Sequence, residues 1–265
     1  MKFEIRHRLR DQELPERRQA LLKRIVEVLT SMEHVQGIFL GGSIAKGNED
    51  LYSDIDLRVV VSEERIDDFI SDKQEILSNS GSVLFFEDLN PKAPFTIAHF
   101  DVFIKVDFFI YTFTQIQPSI WLQDMKILSD PTGKLLEIFN RAVILEYRVT
   151  SAEVEAWRGK LFSYIHEVYR RTMREEYYYA LTLINNLRSF IVKGWNMEAG
   201  RQSNDAWDWS KIEGKRSNLD SWQLSMLCQW ECKRDQEEIM KTLNSMIPEI
   251  RRVYRSVCEN DRNGL

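Results

Sequence analysis

Residues 37–61 read GIFLGGSIAKGNEDLYSDIDLRVVV, and this stretch decides the fold. A short apolar run, Gly37 to Leu40, ends at Gly41-Gly42-Ser43. A polar segment of ten residues follows, and Asp54 then opens a second, β-branched run from Ile55 to Val61. A strand that runs into Gly-Gly-Ser and a helix start lets the backbone approach a phosphate closely, with its N–H groups and the Ser43 hydroxyl as donors. Asp54 and Asp56 are two apart on a strand and so project from one face.

Two carboxylates side by side repel unless a cation lies between them. Mg²⁺ is the natural candidate, because it takes a few carboxylate oxygens together with water and substrate phosphates. A third acid follows in Phe103-Ile104-Lys105-Val106-Asp107-Phe108-Phe109-Ile110, where Asp107 is the only acid of a strongly apolar strand. A charge buried there without a partner is costly, so Asp107 needs a metal or a substrate proton. Neither Gly-Gly-Ser nor Asp-x-Asp alone marks a site. Their order, their strand context and the acid downstream are what point to chemistry.

Working outward, Leu14 to Met32 places Leu21, Leu22, Ile25, Val26 and Leu29 at helical spacing. Ser62 reads as the N-cap of a helix that turns Ile66, Phe69, Ile70, Ile76 and Leu77 inward. Val83 to Phe86, Phe95 to Phe100 and Val102 to Thr112 read as strands. From Ser151 the alternation gives way to helical patterns over Ala152 to Tyr179, Ala180 to Trp195 and Trp222 to Val257. The expected boundary lies at 148/149. The fold expected is an α/β N-terminal domain over 1–148, a mixed twisted sheet with flanking helices, followed by an all-α helical bundle over 149–265.

The pattern of GGS, a spacer, DxD on the next strand and a later acid on a neighbouring strand resembles the DNA polymerase β-type nucleotidyltransferase superfamily. With a helical C-terminal half, the layout is similar to the aminoglycoside and lincosamide nucleotidyltransferases. Asp130-Pro131-Thr132-Gly133-Lys134, read as following a helix, also looks like these small-molecule adenylyltransferases. The resemblance implies that Gly42 and Ser43 hold a nucleoside triphosphate, that Asp54 and Asp56 bind Mg²⁺, and that Asp107 either shares the metal or takes the acceptor hydroxyl's proton. It implies transfer of AMP from ATP to a hydroxyl of a small molecule, possible acceptors including aminoglycoside-like antibiotics, with release of pyrophosphate. Transfer to tRNA or protein, as in toxin-type relatives, and a nucleotide-binding regulator without turnover are the alternatives.

Lys46 in the loop is a triphosphate candidate, and Arg58, on the face of the two acids, either touches phosphate or pairs with them. In the helical half, Glu175 and Glu176 beside three tyrosines, and Trp207 and Trp209 beside two acids, are candidate acceptor-binding residues, since acids and aromatic faces suit polycationic or sugar-like molecules. Glu175 or Glu176 is the alternative base. Glu87 and Asp88 read as loop residues, and Trp121, Trp157, Trp195, Trp222 and Trp230 as packing.

Composition narrows the partners. The chain has 265 residues and 36 Lys and Arg against 41 Asp and Glu, for a net charge of −5. The first 150 residues carry the acidic surplus and the rest is near neutral. Neither half has the basic excess of a nonspecific nucleic-acid binder, so no nucleic acid is expected. No run is apolar enough for a membrane span, and the start lacks the apolar segment of a secretory signal, which points to a cytoplasmic protein. The three cysteines read as reduced, with Cys228 and Cys232 one turn apart on a helix.

Overall fold

The computed structural model describes residues 8–88, 90–203 and 209–263. It divides into two compact units, Met1–Leu145 and Glu146–Leu265. In the first, the helix α1 (Arg8–Ser31) precedes β1 (Val35–Leu40), a short α2 (Gly42–Lys46), β2 (Ile55–Val61) and α3 (Ile66–Ser78). Then come β3 (Val83–Glu87), β4 (Phe95–Phe100), β5 (Ile104–Tyr111), β6 (Lys126–Ser129) and α4 (Lys134–Ala142). The strands form one six-stranded sheet in the order β3-β4-β5-β2-β1-β6. The sheet is mixed, because β2 and β5 run parallel whereas the neighbours on either side of them are antiparallel.

Period-2 alternation sorts the side chains of this sheet onto two faces. On β5, Ile104, Val106, Phe108 and Ile110 are buried, and Lys105, Asp107, Phe109 and Tyr111 are only partly so. The buried set joins Ile55, Leu57, Val59 and Val61 of β2 in a core with Leu21, Ile25 and Leu29 of α1 and Phe69, Ile76 and Leu77 of α3. The other face has a smaller core at the β1–β6 end, where Phe39 and Val60 pack with Leu135 and Ile138 of α4. Toward β5 that second face carries the polar residues.

Three local expectations in this unit change. Helix α1 begins at Arg8, not Leu14, and continues through Pro15. Tertiary contacts hold its early turns: Asp11 accepts a hydrogen bond from the Tyr52 hydroxyl at 2.7 Å, and the Arg10 guanidinium lies over the Phe103 ring. Ser62 does not cap a helix with its side chain. Its N–H donates to the His34 carbonyl, a 3₁₀ turn over Glu63–Arg65 follows, and α3 starts at Ile66. Asp130 to Lys134 follow the strand β6 and not a helix, and Asp130 Oδ2 accepts the Leu136 N–H at the entry to α4.

The second unit consists of α5 (Ser151–Met173), α6 (Tyr177–Glu198), α7 (Ser221–Gln229) and α8 (Gln236–Asn263). Thr150 and Glu153 form a reciprocal capping box at the start of α5. Trp157, Leu161, Leu187, Ile191, Trp195 and Val253 lie in the core. Gly194 permits this packing, since a Cβ there would lie 2.6 Å from both Trp157 and Val253. Two expected helices are shorter than the pattern suggested. The first ends at Met173, with Glu175 at a φ of 60° in the connection to α6. The last is broken into α7 and α8, because Trp230 is buried between them and its carbonyl accepts a hydrogen bond from Arg188. Cys228 and Cys232 therefore do not share a helix. Of the five tryptophans read as packing, Trp157, Trp195 and Trp230 are buried, whereas Trp121 and Trp222 are exposed.

Candidate active site

The carboxylates come together through strand register. β2 and β5 pair in parallel with Asp56 opposite Asp107, and Ile55 opposite Val106 sets Asp54 beside Lys105. Asp56, Lys105 and Asp107 therefore share the face that α1 and α3 leave open. Above them, β1 turns at two glycines. The Gly41 N–H donates to the Asp56 carbonyl at 2.9 Å. Gly42 adopts a φ of +63°, and a Cβ at this position would lie 1.8 Å from Asp56 Oδ2. Only glycine allows the backbone this approach to the carboxylate.

Ser43 follows, buried in the first turn of α2. The loop from α2 to β2 is fastened from beneath by the buried Arg18, whose Nη1 donates to the carbonyls of Asp50, Leu51 and Ser53 at 3.0, 3.3 and 3.2 Å. Arg58 is tied to its own strand. Its Nη1 donates to the Asp56 carbonyl at 3.1 Å, and its guanidinium lies over the Phe109 ring.

Lys105 is the residue that the sequence reading passes over. Its Nζ lies 2.9 Å from Asp54 Oδ2 and 3.2 Å from Asp107 Oδ2, bridging the two acids. The signal for it is the alternation Ile104-Lys105-Val106-Asp107, which places an ammonium on the same face as the acid two residues later. Burial pushes the Asp107 carboxyl above the usual carboxylate range; the Lys105 charge opposes the shift, and Asp56 and Asp54 add to it. Burial works to lower the proton affinity of Lys105, but hydrogen bonding to Asp54 and the charges of Asp107 and Asp54 outweigh it and raise the net value. Asp107 Oδ1 is buried and has no hydrogen-bond partner among the described residues.

The donors fit a hard divalent cation by their chemistry: three carboxylates, with one oxygen desolvated and unpartnered. As they stand they do not form a metal cluster. Among the described residues no three carboxylate, imidazole or thiolate groups are arranged to hold a metal ion. The cation that lies between Asp54 and Asp107 is Lys105.

The other candidates have surroundings of their own. Lys46 Nζ pairs with Asp124 at 2.7 Å. Glu87 pairs with His99 at 2.5 Å, and Asp88 lies 3.3 Å from the buried Lys73 ammonium. Glu175 is exposed in the connection between α5 and α6, and Glu176 pairs with Arg171 at 2.6 Å. Trp209 is partly buried against the core of the helical unit, and Trp207 lies outside the described residues.

Residues 23–103 match the family model described as Polymerase beta, Nucleotidyltransferase. This part of the chain resembles nucleotidyltransferases. The matched stretch includes the Gly-Gly-Ser turn, Asp54 and Asp56, and ends before Lys105 and Asp107. Among solved structures, an aminoglycoside 6-adenyltransferase from Bacillus subtilis is 14% identical and aligns over 94% of this chain and 90% of that one, with a TM-score of 0.42. A nucleotidyltransferase-like protein from Exiguobacterium sibiricum 255-15 is 12% identical over 92% of this chain and 77% of that one, with a TM-score of 0.43. No curated protein matches the chain. No helix among the described residues is long and apolar enough to cross a membrane.

Proposed function

We propose that the chain is a Mg²⁺-dependent nucleotidyltransferase that moves AMP from ATP to a hydroxyl of a small molecule, with aminoglycoside-like antibiotics as the acceptor class to try first. The observation that carries this reading is the register of β2 and β5, which sets Asp56 opposite Asp107 beneath the Gly41-Gly42 turn. The aminoglycoside class rests on the layout of the sequence and not on a feature of the site.

In this reading Asp54, Asp56 and Asp107 would hold the metal, which when bound offsets the charge on the triphosphate and on the attacking and leaving oxygens. The backbone after Gly41 and the Ser43 side chain receive the triphosphate, and Lys46 exchanges Asp124 for a phosphate. The acceptor oxygen attacks the α-phosphorus, the bond from that phosphorus to the bridging oxygen breaks, and pyrophosphate leaves with the electron pair. Asp107, the third of these carboxylates, also takes the hydroxyl proton from the acceptor. Most of the acceleration comes from positioning and charge complementarity.

Residues 1–148 are assigned the nucleotide chemistry and 149–265 the acceptor, with Glu175, Glu176, Trp207 and Trp209 as its binding residues. Of the two glutamates, Glu175 is the stronger candidate, since Glu176 already has Arg171 as a partner. A cytoplasmic location fits the ATP donor and three cysteines that form no disulfide.

The test is incubation with labelled ATP, Mg²⁺ and a panel of aminoglycosides, lincosamides, tRNA and proteins. Label should move to a small molecule, and Asp54→Asn or Asp56→Asn should abolish the transfer. Label on tRNA or protein would replace the acceptor class. Absence of transfer with retained ATP binding would favour a regulator.

A further inference from the structure

The unexplained feature of the site is the ammonium within it. Lys105 holds Asp54 Oδ2 and Asp107 Oδ2, oxygens that a divalent cation would also need. Opposite Lys105 on the next strand stands His99, which pairs with Glu87 of β3, and β4 itself carries no acid. The Lys105 side chain is 30% exposed and the Asp54 side chain 40% exposed, which leaves the ammonium a way out to solvent. A four-carbon stem can swing through rotamers without moving the strand that carries it. A divalent cation within a few ångströms of this ammonium would be strongly repelled, since charges in a partly buried site are poorly screened.

We propose that Lys105 is the resident counter-ion of the three-carboxylate site, and that it yields its place to the divalent cation when an incoming triphosphate can receive its ammonium. This inference rests on the reading of Asp54, Asp56 and Asp107 as metal ligands and adds a dependence that those acids alone do not have. The nucleotide-free chain disfavours metal, and the triphosphate raises metal affinity both by its own oxygens and by drawing Lys105 away. By linkage the metal raises triphosphate affinity by the same factor. Lys105 acts through the carboxylates it holds and is a positioning residue in the resting chain.

The experiment measures Mn²⁺ binding to the full chain, by electron paramagnetic resonance of free Mn²⁺, with and without a non-hydrolysable ATP analogue. Lys105→Met and Lys105→Gln should each bind Mn²⁺ at least tenfold more tightly than wild type in the absence of nucleotide, and the enhancement by the analogue should shrink. Lys105→Arg keeps the charge and should keep the weak binding of the wild type. Adding Asp56→Asn to Lys105→Met should remove the gain. Thermal melts in EDTA show that each variant is folded, and two neutral variants guard against one that is not. Equal or weaker Mn²⁺ binding by folded Lys105→Met and Lys105→Gln, with wild-type binding sensitive to Asp56→Asn, would overturn the role of Lys105 and leave the metal reading intact. Mn²⁺ binding absent from every variant, with and without the analogue, would overturn both.

Discussion

Gly42→Ala is the substitution that most directly probes the close approach of the turn to Asp56, because two neighbouring glycines separate its effects. Gly42 combines a φ of +63° with a Cβ position 1.8 Å from Asp56 Oδ2. An alanine in the left-handed region costs about 1–2 kcal/mol. The collision requires the carboxylate or the turn to move by roughly 1.5 Å to reach van der Waals contact, at the ~1–3 kcal/mol typical of overpacking. Gly47, at the C-terminus of α2, has a φ of +67° and nothing within 4 Å of an added Cβ, so Gly47→Ala carries the strain without the collision. Gly41 has an ordinary φ of −113°, and a Cβ there would meet the far end of Arg58 at 2.3 Å, which a side-chain rotation relieves. The expected loss of stability is therefore about 2–5 kcal/mol for Gly42→Ala, about 1–2 for Gly47→Ala and under about 1.5 for Gly41→Ala. At roughly 2–4 °C per kcal/mol, Gly42→Ala should lower the melting temperature by roughly 4–20 °C. Function should separate the three more sharply, because a displacement of about 1 Å at a reacting centre can cost about 10²-fold. Calorimetric titration of an ATP analogue with Mg²⁺ should show binding nearly unchanged in Gly47→Ala and lost or weakened at least tenfold in Gly42→Ala. If Gly42→Ala matches Gly47→Ala both in melting temperature and in nucleotide affinity, the turn does not depend on its approach to Asp56, and the reasoning fails.

Three further outcomes follow from named contacts. Because burial raises the folded-state pKa of Asp107, the stability conferred by its protonated form is fully present below about pH 3.8 and is lost as pH rises through the folded pKa. Asp107→Asn does not titrate, so in EDTA its stability relative to wild type should climb from pH 3.8 upward and then level off; a difference that stays flat with pH would contradict the desolvated carboxylate. Arg18→Met keeps the apolar stem but strips three carbonyls of their donor. It should cost about 2–3 kcal/mol in denaturant titrations and also weaken nucleotide binding through the loop before Asp54, and a variant with only the stability loss would confine Arg18 to a structural role. Lys73 donates to the Pro91 and Ala93 carbonyls at 2.7 and 3.0 Å and lies beside the Asp88 carboxylate, which is largely buried. Lys73→Met should cost about 3–5 kcal/mol and speed hydrogen exchange at Ala93, whose N–H bonds within the same loop, whereas unchanged exchange would show that the loop does not depend on the lysine.

Much of the sheet is legible from alternation alone, because a half-covered strand must place apolar residues two apart. Phe95–Phe100 is read to the residue, and β5 is read with its edges slightly too wide. The misread ends share a cause. Helix α1 gains its first turns from Asp11 and Arg10 reaching Tyr52 and Phe103, and the last helical pattern is interrupted where Trp230 is buried and its carbonyl captured by Arg188. Periodicity reports which face a residue can bury. It is blind to a contact many residues away that extends a helix or ends it.

The same division holds at the site, and it changes what the acidic surplus of the first half means. The glycines and the three acids stand out because their residue types are unusual in their local setting: paired glycines where a strand has just ended, aspartate in an apolar strand. Lys105 is concealed because a lysine on a half-exposed strand face is unremarkable by itself. Its meaning arises only when β2 and β5 pair in parallel, a choice of partner and register that neither strand's own pattern contains. Read without that pairing, Asp54, Asp56 and Asp107 are a cluster that demands an external cation. With it, the chain supplies one positive charge of its own, sufficient to hold Asp54 and Asp107 while Asp107 Oδ1 stays buried without a partner. A single ammonium offsets one of three negative charges. The remaining charge and the unpartnered oxygen keep the site receptive to a stronger cation, while Lys105 makes that cation compete for its place.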